Sequence, residues 1–145
     1  MVALATFSDV LAYSVAVPVL PDLGRRFGAS PTTIGFLFAS FGVTVLATAI
    51  PMGAVSDRLG RRGPLVAGGV GLSLATLLFA VADTLPLLFL ARLAQGAADA
   101  VTWVVGFALV ADLYAPAERG RAMGWVMTAT TVGFMTGPTL GGWLY

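Results

Sequence analysis

The chain has 145 residues, 58% of them hydrophobic and 10% charged, a balance far more apolar than that of water-soluble domains, so a soluble fold is excluded as the economical reading. Eight arginines, no lysine and seven acidic side chains leave a net charge of +1, which provides no basic face for nucleic acid. With no cysteine and no histidine, disulfide frameworks, the common zinc clusters and Cys/His nucleophiles are absent, and no hydroxyl has an evident base partner; enzymatic catalysis, a metal and a cofactor are not expected.

A bilayer core takes about 20 mostly apolar residues per spanning helix, and five such stretches follow one another, at 2–21, 32–55, 64–82, 86–111 and 122–145. They predict an all-α integral membrane protein whose partner is the lipid bilayer. The first stretch has no positively charged leader and no small-residue cleavage site, and it carries Asp9 and Pro18; it reads as a retained helix rather than a signal peptide. The link 22–31 with Arg25 and Arg26, and the short link 83–85, fall on one side. The links 56–63 and 112–121 hold Arg58, Arg61, Arg62, Arg119 and Arg121 and fall on the other. The excess of arginine assigns the second side, and with it the N-terminus, to the cytoplasm.

Glycine recurs at helical spacing inside these stretches. Gly35, Gly42 and Ala49 repeat every seven residues on the second, and Ala129, Gly133, Gly137 and Gly141 every four on the fifth. Such small-residue faces are expected to pack closely on other helices.

Three ionisable residues lie within the apolar stretches: Asp9 on the first, Arg92 and Asp99 on the fourth. Each costs about 2.5–3.5 kcal/mol near a helix centre unless a partner or a water-filled cavity offsets it, so each is a candidate functional residue. Arg92, Gln95, Gly96 and Asp99, spaced i, i+3, i+4 and i+7, lie along one helix face and are expected to line a polar pathway. A structural alternative is that Arg92 and Asp99 neutralise charge between helices. Asp9 has no partner within its own helix. A carboxylate in low dielectric can take up and release a proton or pair with a cationic ligand; the alternative is a helix sitting high enough for Asp9 to reach water.

Three strings together resemble the signature motifs of the major facilitator superfamily. Gly53-x-x-x-Asp57-Arg58-x-Gly60-Arg61-Arg62 resembles the family's loop motif between helices two and three, whose charges the family uses as a conformational latch between transporter halves. Leu88-x-x-x-Arg92-x-x-Gln95-Gly96 resembles the helix-four motif, whose buried arginine is associated with proton coupling. Gly124, followed by Gly133-x-x-x-Gly137-Pro138-x-x-Gly141-Gly142, resembles the helix-five motif of drug/proton antiporters. Asp9, Pro18 and Pro21, and the strings 111–114 and 118–124, are similar to the vesicular monoamine transporter branch, in which the aspartate resembles an amine-binding site.

The resemblance implies the N-terminal five helices of a twelve-helix fold built from two six-helix halves. The missing helices are expected in the same or another chain. It further implies antiport of lipophilic or cationic small molecules against protons, in the cell (inner) membrane, with Asp9, Arg92, Gln95 and Asp99 as coupling or substrate residues. The alternatives are a small membrane protein acting as half-transporter or scaffold with a partner, and a metabolite symporter of the same superfamily.

Overall fold

The computed structural model describes residues 2–144, and all regular structure among them is helical. Five helices follow one another: α1 (Val2–Arg26), α2 (Pro31–Leu59), α3 (Arg62–Ala80), α4 (Leu85–Leu113) and α5 (Pro116–Leu144). Four of them, α1 to α4, are long and apolar enough to cross a membrane. Helix α5 has the length, 29 residues, but carries Thr128, Thr130, Thr131, Thr136 and Thr139 among its apolar residues. These hydroxyls donate back to their own helix, for example Thr130 to the Val126 carbonyl at 2.9 Å and Thr136 to the Val132 carbonyl at 2.8 Å. The polar groups are thereby satisfied without water, so α5 is less polar to lipid than its composition suggests.

Helices α1, α2, α4 and α5 outrun their apolar stretches at one end or both, whereas α3 ends at Ala80, short of 82. Helix α1 continues through Pro18 and Pro21 to Arg26, and α5 starts at Pro116 instead of 122. At about 1.5 Å per residue a helix the length of α5 covers about 43 Å, the hydrocarbon core plus both headgroup zones. Hydropathy falls at the edge of the hydrocarbon, whereas helical hydrogen bonding continues past it. Helix α1 ends in a Schellman arrangement: the Ala29 amide donates to the Gly24 carbonyl and the Gly28 amide to the Arg25 carbonyl, both at 2.9 Å. Gly28 supplies the left-handed φ of +74° that this requires. Ser30 then caps α2, its hydroxyl accepting from the Thr33 amide at 3.2 Å, with Pro31 in the first turn.

Helix α1 packs chiefly on α5, and α4 on both α2 and α3. The α5 stripe explains the first contact. A Cβ at Gly133 would lie 3.1 Å from the Phe7 carbonyl oxygen, and one at Gly137 or Gly141 would overlap Ser14 or the Val15 carbonyl of α1. Glycine at these positions lets the two backbones touch. Gly96 of α4 does the same for α2, whose Phe41 carbonyl and Thr44 hydroxyl occupy the space a Cβ would need. The seven-residue repeat of α2 behaves otherwise. Gly35 and Gly42 meet nothing within 4 Å, so that expected seam faces outward among the described residues, and α2 is joined to α4 by a different face. Gly124, Pro138 and Gly142 are likewise exposed, off the α1–α5 contact.

Burial divides the bundle into layers. One apolar cluster, Leu20, Leu37, Ala82 and Leu88, closes one end, and another, Val2, Val110 and Val126, closes the other. Between them lies a buried polar belt of Asp9, Ser14, Arg92, Gln95, Asp99 and Thr102. Helix α4 contributes most of it, because α4 is wrapped by α1, α2 and α3.

Candidate functional site

Arg92 has no exposed surface. Its guanidinium carbon lies 5.2 Å from the ring centroid of Tyr13 on α1, 5.3 and 5.7 Å from Phe41 and Phe38 on α2, and 5.8 Å from Phe79 on α3. Four rings from three helices thus surround one cation at distances where the negative faces of aromatic rings attract it. Tyr13 and Phe41 also pack on each other, centroids 4.7 Å apart. Arg92 Nη1 donates to Gln95 Oε1 at 3.1 Å, and Gln95 Nε2 passes the chain to the Thr76 hydroxyl on α3 at 3.3 Å. The Arg92 Nε and Nη2 atoms are buried and have no hydrogen-bond partner.

The carboxylates are placed elsewhere. Asp9 is 1% and Asp99 9% exposed, and their side chains come within hydrogen-bonding reach of each other across the α1–α4 contact. Asp9 is therefore buried among the described helices. Arg92 forms no ion pair with Asp99 or with any other described residue. The i, i+3, i+4, i+7 face also splits. Gly96 is covered by α2, while Asp99 lines a pocket of about 270 Å³ with Val10, Tyr13, Phe41 and Phe134. Asp9 opens instead on a groove of about 550 Å³ between α1 and α3, whose polar lining is Ser8, Ser73, Thr76 and Thr102. The belt thus offers a caged cation, two facing carboxyl groups and two separate cavities, one on either side of them.

At the end of the bundle where α2 meets α3, a second cluster forms. Arg61 Nε donates to Asp112 Oδ2 at 2.8 Å and Nη1 to the Ser56 hydroxyl at 2.7 Å, and Nη1 also pairs with Asp57. Ser56 is buried, whereas Asp57 and Asp112 are exposed. The bonds from Asp112 and Asp57 raise the pKa of Arg61 above that of a free arginine, so the guanidinium stays charged. Gly60, with φ of +83°, makes the turn that brings Arg61 back over the end of α2. Of the six loop-motif residues, this cluster joins Asp57 and Arg61 through the Gly60 turn. Arg58 and Arg62 are exposed and form no ion pair among the described residues. Asp112, which ties the end of α4 to this turn, is absent from the motif itself. It lies in the string 111–114, the only sequence signal for it.

The placement of charge inside a membrane bundle agrees with what the chain is similar to. The family model described as Major Facilitator Superfamily matches residues 2–145. The chain belongs to the major facilitator superfamily. It is a multi-pass membrane protein of that family, and curated relatives cover nearly all of it. Multidrug resistance protein 2 of Bacillus subtilis (strain 168) is 31% identical over 138 residues, 95% of this chain and 34% of that protein. Tetracycline resistance protein, class B, of Escherichia coli is 34% identical over 140 residues, 94% of this chain and 35% of that protein. The probable vesicular acetylcholine transporter-B of Danio rerio is 35% identical over 154 residues, 100% of this chain and 31% of that protein. The chain therefore spans about a third of the length of these superfamily relatives.

Proposed function

We propose that this chain is the N-terminal part of a proton-coupled antiporter that exports lipophilic or cationic small molecules by alternating access. The carrying observation is the buried belt: two carboxyl groups and an arginine held at mid-depth between two apolar clusters. Charges there are costly and call for a ligand or a proton. The names of the relatives, a multidrug and a tetracycline resistance protein and a vesicular acetylcholine transporter, point to small organic solutes. In this reading Asp9 and Asp99 carry the proton or the cationic substrate and Arg92 sets the field in which they work. Gln95 holds Arg92 in place.

The five helices belong, in this reading, to a six-helix half. Support comes from the packing: α1 lies on α5 as α4 lies on α2, an exchange that relates helices one to three with helices four to six. Helix α3 leans on α4, and the corresponding flank of α1 is the open groove between α1 and α3, where a sixth helix fits. The second half then faces this one across the substrate path, in the same or another chain. The arginine-rich turns lie in the cytoplasm, the N-terminus with them, and the protein in the cell (inner) membrane. The α5 string with Gly137 and Pro138 favours antiport over symport by resemblance.

The test is proton-driven efflux in vesicles holding the full-length transporter. Asp9→Asn is expected to abolish uphill export while the protein still inserts. Unchanged export against a gradient removes Asp9 from coupling.

A further inference from the structure

Asp9 and Asp99 meet with no cation between them. Asp9 lies on α1 and Asp99 on α4, both in the buried belt, and their carboxyl groups are within hydrogen-bonding reach of one another. Yet neither oxygen of Asp9 meets a donor among the described residues. Arg92, two turns earlier on α4, is engaged by Gln95 and four aromatic rings. The membrane-buried parts of α2, α3 and α5 contain no titratable side chain at all; on α1 the remaining titratable group is Tyr13. Trp103, one turn beyond Asp99 on α4, has its indole near Asp99.

Two ionised carboxylates are acceptors only, so their contact lacks a hydrogen, and two like charges in contact at low dielectric are not both retained. One proton resolves both problems. A carboxylic acid donates O–H to the neighbouring carboxylate, a short charge-assisted bond. The nearby indole favours the ionised partner on the Asp99 side.

We propose that Asp9 and Asp99 form a single site holding one proton, with Asp9 as the acid and Asp99 as the carboxylate that accepts its hydrogen bond. Asp99 is reached from the aromatic pocket of Tyr13, Phe41 and Phe134, while Asp9 lies on the side where the groove between α1 and α3 seats a sixth helix. The proton leaves Asp9 only when another positive charge takes its place beside the pair. For a transported ligand that charge is one organic cation, entering through the aromatic pocket to Asp99. This deepens the antiport reading and rests on it for the ligand, though not for the shared proton.

Infrared spectroscopy of the full-length protein in lipid vesicles, at neutral pH and without substrate or gradient, tests the pair. The probe is the carbonyl stretch of a protonated carboxyl shielded from rapid deuterium exchange. The wild type is expected to give such a band from the pair. Asp9→Asn should lose it, since the asparagine amide then donates to Asp99 and leaves it ionised. Asp99→Ala should shift the band, because the acid loses its acceptor, and Asp99→Asn, which keeps a carbonyl acceptor, should shift it less. No band in the wild type, a wild-type band set that Asp9→Asn leaves complete, or a band that Asp99→Ala leaves in place would each overturn the proposal, the first without any variant having to fold. Because transport is not part of the measurement, a failed efflux assay beside a positive spectrum sinks the antiport reading alone.

Discussion

In the belt, Arg92 is shut off from the surface, has no carboxylate and a single amide partner among the described residues, and is held by aromatic faces drawn from α1, α2 and α3. At the end of the bundle, Arg61 sits in reach of water between two carboxylates and a hydroxyl, drawn from α2 and α4. The same side chain is held in one place by dispersion and ring quadrupoles and in the other by paired charge. The difference lies in what each can change. A cage of rings fixes a charge without neutralising it, so the field of Arg92 still reaches its surroundings. An ion cluster in high dielectric cancels its charge locally and is weakened by salt, which suits a contact that must open and close.

The largest expected effect comes from emptying the cage. Arg92→Ala removes the side chain from a closed shell of four rings and is expected to destabilise the fold by about 3 kcal/mol, read as a lower melting temperature in detergent. Arg92→Met fills the space without the charge. It should melt at or above the wild type, because a buried unpaired cation is replaced by apolar volume, and yet lose transport. An active Met variant would reduce Arg92 to packing.

An intermediate effect is expected at Gly137. Gly137→Val drives a side chain into Ser14 of α1 and should destabilise by about 2 kcal/mol, whereas Gly142→Val, on the exposed side of α5, should melt like the wild type. Equal melting of the two would show that the α1–α5 contact is loose. At the loop end, Asp57→Asn should leave insertion and melting intact while slowing turnover. Wild-type turnover would remove Asp57 from any gate. Smallest of all, Arg58→Ala should change neither melting nor turnover, since Arg58 forms no ion pair among the described residues. Raising the ionic strength should mimic Asp57→Asn and leave the melting behaviour of the cage unchanged.

The spans were legible because hydropathy is additive along a chain: apolar stretches separated by short polar links can fold in a membrane in few ways. The stripe on α5 was legible because Gly133, Gly137 and Gly141 repeat near the helical period and the contact they make is backbone to backbone. The stripe on α2 has the same look and no neighbour among the described residues, since spacing reports which residues share a face and not what that face meets. The belt was legible only by halves. Asp9, Arg92 and Asp99 stand out as charges in apolar sequence, but the neighbour of each comes from other helices. Arg92 and Asp99 share a helix and suggest a pair, while the actual contacts of Arg92 are Tyr13, Phe38, Phe41 and Phe79, distant in sequence and aromatic, a type too common in membrane spans to be noticed. Phe38 and Phe41, three residues apart, were the one local hint. The link from Arg61 to Asp112 spans 51 positions, beyond the reach of any local pattern.

The packing of α1 on α5 also dictates an order of events during synthesis. Of the five described helices α1 leaves the ribosome first, but the glycine seam that seats it belongs to α5, and the carboxyl group that faces Asp9 belongs to α4. Until both have been made, the nascent chain holds a membrane-embedded aspartate with neither its seat nor its neighbour. Among these five helices α1 is therefore made before the seat that α5 provides for it.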